Sequence, residues 1–231
     1  MDRYARVLYI FATCPSAPVV GLYLLMCFSA SHLMKLFRPF DLRRPLALHS
    51  FICSALSLYS LTSFLMAFTE DYDVFSTEDK EGTLKHAVFV FWVSKWYELL
   101  DTVFMVLRHR RKQISFLHVF HHSTMPIITD YAYHYACWPA ALIIGSLNSF
   151  VHVVMYGYYG LTALCPLKDF SFKKRITQLQ MFQFMVATLQ GVWGYLYYKY
   201  CIYSILYPLA MVALFSNFYY QAYLRQKKVQ K

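Results

Sequence analysis

Long charge-free stretches dominate the chain, and they predict helices that cross a membrane. Asp, Glu, Lys and Arg are all absent from residues 7–34, 45–69, 113–129, 131–167, 176–198 and 200–224. A helix needs roughly 20 predominantly apolar residues to cross the hydrocarbon core of a bilayer, and most of these stretches reach that length. Their length and their lack of strict alternation disfavour the strands of a β-barrel.

One further apolar segment, residues 86–107, carries Lys95, Glu98 and Asp101 within it. With this segment included, we predict an all-α membrane protein with seven transmembrane helices, forming a single integral-membrane domain over residues 1–231. The predicted spans are residues 13–34, 46–69, 86–107, 113–130, 137–159, 176–197 and 201–223.

The composition agrees with a membrane bundle and excludes one class of function. Hydrophobic residues make up 58% of the chain and charged residues 15%, whereas soluble domains carry roughly 25% charged residues. A net charge of +10 is also found in nucleic-acid-binding proteins, but these present a basic face on a soluble fold. Here the basic residues form short clusters between apolar runs, so we expect a lipid bilayer and not a nucleic acid as partner.

These basic clusters orient the bundle, because cytosolic segments of membrane proteins carry an excess of Lys and Arg. Alternate connecting segments hold 16 of the 22 basic residues. They are Lys35, Arg38, Arg43, Arg44, Arg108, Arg110, Arg111, Lys112, Lys168, Lys173, Lys174, Arg175, Arg225, Lys227, Lys228 and Lys231. The opposite side carries an acidic loop, residues 70–81. We therefore predict a lumenal or extracellular N-terminus and a cytosolic C-terminus.

Three histidines occur within five positions of the fourth span, at His118, His121 and His122. The spacing i, i+3, i+4 places them on one face of a helix. Ionisable side chains within a span cost a few kcal/mol, so they usually mark function. Neutral imidazole can bind a metal, act as a nucleophile or transfer protons, so the cluster predicts a site with one of these chemistries.

Other spans carry polar side chains at helical spacing. The third span has Lys95, Glu98 and Thr102 on one face with Asp101 beside them; the fifth has Asn148 and His152; the sixth has Thr177, Gln180 and Gln183. Interhelical hydrogen bonding alone would explain some of them. The cytosolic basic clusters lie close to these groups in sequence, so we predict a basic mouth suited to phosphate groups above an apolar interior suited to a hydrocarbon chain.

Two classes of membrane protein are alternatives that the same residues leave to be weighed. Membrane di-iron desaturases and hydroxylases also contain a His-x-x-His-His box, but they need several such boxes. This chain has nine histidines, and none outside the cluster forms a second box. A non-enzymatic lipid transporter would also place polar groups at mid-membrane, but the sequence lacks the interrupted half-helices typical of transporters.

Several motifs in order resemble the fatty acid elongase family, the very-long-chain 3-oxoacyl-CoA synthases of the endoplasmic reticulum. The matching residues are Lys95-x-x-Glu98-x-x-Asp101-Thr102, His118-x-x-His121-His122, Asn148-x-x-x-His152-x-x-Met155-Tyr156, Tyr158-Tyr159, Thr177-x-x-Gln180-x-x-Gln183-Phe184 and Asn217-Phe218-Tyr219. Together these motifs cover nearly the whole chain.

The resemblance implies a fold, a reaction and a location. Six of the seven helices would enclose a narrow acyl-chain tunnel, in a multi-pass protein of the endoplasmic reticulum membrane. The reaction would condense a long-chain acyl-CoA with malonyl-CoA to a 3-oxoacyl-CoA, carbon dioxide and CoA, the first step of fatty acid elongation. The CoA thioesters are substrates, so no cofactor and no metal are implied. The resemblance allows for a homodimer and for other elongation-cycle enzymes as partners.

The resemblance also implies roles for individual residues. A ping-pong mechanism would use a neutral imidazole as nucleophile, and the resemblance assigns this role to His121, although spacing alone does not separate it from His122. His118, His122 and His152 are the other predicted catalytic residues. The predicted substrate-binding residues are Lys95, Arg108, Arg110, Gln113, His118, Asn148, His152, Tyr158, Lys173, Thr177 and Gln180.

Overall fold

A computed structural model describes residues 13–70, 72–165 and 170–225, and within them every regular element is helical. The α-helices are α1 Ser16–Leu33, α2 Arg43–Ala67, α3 Thr83–Tyr97, α4 Leu100–Leu107, α5 Phe116–Tyr135, α6 Ala141–Leu164, α7 Phe170–Tyr197 and α8 Tyr203–Tyr219. A 3₁₀ turn, Arg111–Gln113, precedes α5, and a π-helical turn, Tyr220–Leu224, follows α8. The predicted all-α fold is confirmed. Lys168, residues 227–231 and Asp71, which belong to the predicted charged clusters, lie outside the described residues.

Three of the described helices, α1, α2 and α6, are long and apolar enough to cross a membrane. The other predicted spans correspond to helices that are shorter or that carry more polar side chains. Helix α5, for example, contains the histidine cluster and α7 contains a series of glutamines. The structure therefore identifies a membrane protein with three clear candidate spans, and the seven-span topology stays a prediction.

The helix predicted over residues 86–107 is two helices, and this is a correction to the sequence analysis. Between α3 and α4 the backbone bonds shorten to an i→i+3 pattern, because Asp101 N donates to Glu98 O at 3.1 Å and Thr102 N donates to Leu99 O at 3.2 Å. Such tighter turns within a helix often occur at functional sites.

Six of the predicted spans pack in a closed order, in which each helix contacts the next and the last contacts the first. Helix α2 packs against α3, α3 against α5, α5 against α8, α8 against α7, α7 against α6, and α6 along the length of α2. Helix α1 lies outside this order and packs on α5 and on α4. The main apolar core lies between α2, α3 and α6 around Phe64, Leu84 and Leu142, which are fully buried.

Two local features set where the chain turns towards α5. His109 adopts a left-handed backbone conformation with φ of 54° after α4, and Arg110 N donates back to Met105 O at 2.8 Å. This bond satisfies a carbonyl group at the end of the helix. Ser115 then caps α5, because its hydroxyl accepts a hydrogen bond from the backbone N–H of His118 at 3.3 Å. The histidine cluster therefore begins within the first turn of a capped helix.

Candidate active site

The three histidines of α5 form one continuous group of rings. The ring centroids of His118 and His122 are 4.2 Å apart, and those of His121 and His122 are 5.4 Å apart. His152 of α6 joins them from across the bundle, with its centroid 6.4 Å from that of His121. The site thus contains four imidazoles from two helices, and all four were predicted as catalytic residues.

Behind His152 lies a buried network centred on Lys95. The ammonium group of Lys95 donates to Glu98 Oε1 at 2.7 Å and to Asn148 Oδ1 at 3.1 Å, and it lies 3.2 Å from His152 Nδ1. Lys95 and Glu98 are each 2% exposed. A buried ammonium and a buried carboxylate at this distance compensate one another and avoid the penalty of an unpaired buried charge.

The same carboxylate fixes the tautomer of His152. Glu98 Oε1 lies 3.0 Å from His152 Nδ1, and an ionised carboxylate can only accept hydrogen bonds. We assign the hydrogen of His152 to Nδ1 because Glu98 Oε1 lies nearer to this nitrogen than Lys95 Nζ does, and Nε2 then keeps a lone pair. This orientation of an imidazole by a buried carboxylate is the arrangement that keeps a histidine ready for proton transfer.

Asp101 organises a second buried group next to the first. Its Oδ1 lies 2.9 Å from Nε2 of His49 on α2, and its Oδ2 accepts a hydrogen bond of 2.7 Å from the hydroxyl of Tyr156 on α6. The ring of Tyr156 also lies 5.6 Å from the ring of His152. Sequence reasoning gave His49 no role, although an isolated histidine in a charge-free span was a usable signal.

Thr102 connects α4 to the histidine cluster and to α1. Its hydroxyl lies 2.7 Å from His118 Nε2, and it donates to the hydroxyl of Tyr23 at 3.3 Å. Tyr23 was not predicted as a site residue. No sequence signal distinguishes it from the other 20 tyrosines, because its position depends on how α1 packs.

His118, His121 and His122 are half-buried. Within the described residues, the side chains of His121 and His122 have no hydrogen-bond partner, and neither is sealed from solvent. Their ring nitrogens are therefore available to a ligand.

The remaining predicted substrate-binding residues lie apart from the imidazoles. Arg108 is half-buried where α4 ends, and Arg110, Gln113 and Lys173 are exposed. Tyr158 is half-buried with its ring 5.1 Å from that of Phe172. Two further ones lie on α7: Thr177 is buried with its hydroxyl 3.4 Å from that of Tyr223, and the side-chain amide of Gln180 donates to Met155 Sδ at 3.2 Å.

These positions divide the predicted set into two groups. Lys95, Asn148, His118 and His152 meet at one buried centre. The group of Arg108, Arg110, Gln113 and Lys173 instead occupies the ends of helices and the 3₁₀ turn. Partial burial, followed by the neighbouring Arg110 guanidinium, lowers the pKa of Arg108, which is the effect expected where cations crowd together.

A shallow apolar groove of about 450 Å³ lies elsewhere, between α2 and α6. Leu61, Leu65, Ile143 and Phe150 are among the side chains that line it, and none of the four histidines does. It offers almost no polar surface, so it cannot carry the chemistry of the buried centre. Among the described residues, no group of three His, Cys, Asp or Glu side chains is arranged to hold a metal ion.

Comparison with known proteins places this architecture in a family. The model of the "ELO: GNS1/SUR4 family" matches residues 11–231. The chain is 31% identical over 236 residues to very long chain fatty acid elongase 7 of Rattus norvegicus, covering 94% of this chain and 83% of that protein. It is 34% identical over 230 residues to very long chain fatty acid elongase 4 of Homo sapiens, covering 93% and 73%. It is 34% identical over 211 residues to very long chain fatty acid elongase 1 of Mus musculus, covering 84% and 75%. Since the family match includes every helix that contributes to the histidine centre, the chain belongs to the ELO (GNS1/SUR4) family.

Proposed function

We propose that this protein is a very-long-chain 3-oxoacyl-CoA synthase, which condenses a long-chain acyl-CoA with malonyl-CoA in the first step of fatty acid elongation. The observation that carries the proposal is the four-imidazole centre beside a buried Lys95–Glu98 pair in an apolar helical bundle. Two of the four rings have no hydrogen-bond partner among the described residues. Such a centre suits acyl transfer, and the names of the similar proteins point to elongation of fatty acids.

In the first half-reaction, a neutral nitrogen of His121 attacks the thioester carbon of the acyl-CoA. The C–S bond breaks and the other ring nitrogen of His121 gives up its proton, which neutralises the departing CoA thiolate. The products are an acyl-imidazole and free CoA. The half-buried ring of His121 and its lack of a protein hydrogen bond support this role, because a nucleophile needs an accessible lone pair.

In the second half-reaction, malonyl-CoA loses carbon dioxide and its enolate carbon attacks the acyl-imidazole. A new C–C bond forms, the acyl–nitrogen bond breaks, and the imidazole of His121 takes up one proton from solvent. His122 and the amide of Asn148 would donate hydrogen bonds to the developing oxyanions. His118 and His152, which are held by other side chains, would move protons.

The substrates enter through the basic cytosolic mouth in this proposal. Arg108, Arg110 and Lys173 would bind the phosphates of CoA, with Gln113, Tyr158, Thr177 and Gln180 along the pantetheine arm. Cations that crowd together, as Arg108 and Arg110 do, favour an anionic ligand. The acyl chain would extend into a tunnel enclosed by the six helices of the closed order.

The proposal includes the location and topology. The protein would be a seven-span protein of the endoplasmic reticulum membrane, with its N-terminus in the lumen and its C-terminus in the cytosol. The reaction as written needs no metal, and three of the five histidines outside the centre have polar partners of their own. His49 pairs with Asp101, His134 lies 2.9 Å from Asp130, and His86 lies 2.9 Å from the hydroxyl of Tyr59.

Release of carbon dioxide tests the proposed reaction. Purified protein in detergent would receive a long-chain acyl-CoA and malonyl-CoA labelled at its free carboxyl carbon. We expect labelled carbon dioxide and a 3-oxoacyl-CoA two carbons longer, only when both substrates are present and without added iron. No release by a folded protein, or turnover that depends on iron and oxygen, would overturn the proposal.

Intact-mass measurement tests the identity of the nucleophile. With acyl-CoA alone, we expect one acyl group on the protein and release of an equal amount of CoA. The adduct should be absent in His121→Ala and present in His122→Ala, which is the matched control from the same helix turn. An adduct that survives His121→Ala, or none in the wild type despite turnover, contradicts the acyl-imidazole at His121.

A further inference from the structure

Helix α1 lies outside the closed order of six helices, but one of its side chains reaches the histidine centre. Tyr23 is 4% exposed, and its hydroxyl accepts a hydrogen bond from Thr102, which is fully buried. Thr102 in turn lies 2.7 Å from His118 Nε2. The three side chains form a continuous hydrogen-bonded chain from α1 through α4 to α5.

A second set of contacts holds α1 in the orientation that this hydrogen-bonded chain requires. Near the start of α1, the backbone N–H of Ser16 donates to Asp130 Oδ2 at 2.8 Å, and its hydroxyl accepts from the indoles of Trp92 at 3.1 Å and Trp96 at 2.8 Å. Ser16 and Tyr23 are seven residues apart, close to two helical turns, so they share a face of α1. That face is therefore fixed at both positions.

The number of donor hydrogens in the hydrogen-bonded chain of Tyr23, Thr102 and His118 determines the tautomer of His118. A threonine hydroxyl has one hydrogen to donate, and Thr102 donates it to Tyr23. The short contact between Thr102 Oγ1 and His118 Nε2 must then use a hydrogen on Nε2. His118 Nδ1 consequently keeps a lone pair, and it has no protein partner among the described residues and is not sealed from solvent.

We propose that Tyr23 is a positioning residue which, through Thr102, holds His118 as the Nε2–H tautomer and so keeps a lone pair on its Nδ1. This inference rests on the proposed function. In the first half-reaction the lone pair accepts the proton that leaves the attacking imidazole of His121. It then passes that proton to the CoA thiolate, so that His118 returns to its neutral form.

Replacement of Tyr23 by Phe should convert His118 to its other neutral tautomer, while the aromatic ring at position 23 stays packed. Loss of the phenol oxygen leaves the Thr102 hydroxyl without its acceptor, and it then donates to His118 Nε2. The hydrogen of His118 moves to Nδ1, where a proton acceptor is needed. A histidine in the wrong tautomer loses its function as a base even when its position is unchanged.

Kinetics on Tyr23→Phe, Thr102→Val and the double variant test the proposal in the carbon dioxide assay. We expect kcat to fall at least tenfold in Tyr23→Phe, towards the roughly 10²–10⁴-fold that general acid–base catalysis supplies, with KM for acyl-CoA unchanged. The double variant should be no slower than Thr102→Val, because both changes act on one chain of hydrogen bonds. Thr102→Ser keeps the hydroxyl and should retain most of the activity.

A matched control distinguishes the effect of the tautomer change from the general effect of losing a tyrosine–histidine contact between helices. Tyr59→Phe removes a hydroxyl that lies 2.9 Å from His86 Nε2, away from the centre, and we expect wild-type kinetics. Its thermal stability also gives the reference for Tyr23→Phe. A wild-type kcat in Tyr23→Phe, or losses that multiply in the double variant, would overturn the inference.

Nitrogen-15 NMR of protein with labelled histidine gives a readout that does not depend on turnover. The wild type should show one centre imidazole, absent in His118→Gln, with its hydrogen on Nε2, and Tyr23→Phe should move that hydrogen to Nδ1. An Nδ1–H tautomer in the wild type would overturn the inference. If the wild type releases no carbon dioxide, the proposed function fails, and the NMR result still decides whether Tyr23 sets the tautomer.

Discussion

Glu98→Gln is the change whose effect on stability can be derived most directly from the structure. It keeps the shape of the side chain but removes the negative charge 2.7 Å from the Lys95 ammonium. At an effective dielectric constant of about 20, two unit charges at this separation attract by about 6 kcal/mol. Removal of one partner of a buried pair typically costs about 3–5 kcal/mol, because the other charge is left uncompensated.

We therefore expect Glu98→Gln to destabilise the protein by about 3–5 kcal/mol. At roughly 2–4 °C per kcal/mol for a chain of this size, the melting temperature should fall by about 6–20 °C.

The double variant Lys95→Met with Glu98→Gln is the control for this reasoning. Replacement of both members of a buried ion pair by neutral side chains of similar volume is often close to neutral for stability. Thermal unfolding in detergent, followed by tryptophan fluorescence, should therefore show the double variant within a few degrees of the wild type. Its condensation activity should stay low, because His152 has lost the carboxylate that fixes its tautomer. The argument would be refuted if Glu98→Gln had the melting temperature of the wild type. It would also be refuted if the double variant had the melting temperature of Glu98→Gln.

Two further predictions concern the packing at Gly145 and the hydrogen bond between Tyr156 and Asp101. A Cβ at position 145 would lie 2.4–2.9 Å from the buried ring of Phe64, whereas one at position 157 of the same helix would meet only a hydroxyl at 3.6 Å. Overpacking costs about 1–3 kcal/mol, so Gly145→Ala should melt below Gly157→Ala, and equal melting temperatures would contradict the steric argument. Tyr156→Phe removes the hydrogen bond to the carboxylate of Asp101, and unfolding measurements should show a loss of about 1.5–3 kcal/mol. A loss under about 0.5 kcal/mol would show that the carboxylate finds another donor there.

The helices and the histidine cluster could be predicted because both depend on local sequence. Charge-free stretches mark apolar helices directly, and the i, i+3, i+4 spacing determines that His118, His121 and His122 share a face. The break at Glu98 and Leu99 was not predictable in this way. It replaces i→i+4 bonds by i→i+3 bonds over a single turn, and no proline or glycine in the sequence marks it.

The partners of the polar side chains could not be predicted, because they depend on how the helices are rotated against one another. Spacing placed Lys95, Glu98 and Thr102 on one face, but the structure directs Lys95 and Glu98 to His152 of α6 and Thr102 to His118 of α5. Helical spacing within one segment carries no information about which neighbouring helix each side chain contacts.

The four imidazoles differ in their hydrogen bonds, since two are held by side chains of other helices and two are not. His118 and His152 each use one ring nitrogen for a side chain of another helix, Thr102 in one case and Glu98 in the other. Both rings are thereby oriented with a lone pair on the remaining nitrogen. His121 and His122 have no such bond, and a ring that must form and break a covalent bond gains from this freedom. The fixed pair is therefore suited to proton transfer, which supports the proposal that the nucleophile is one of the free pair on α5.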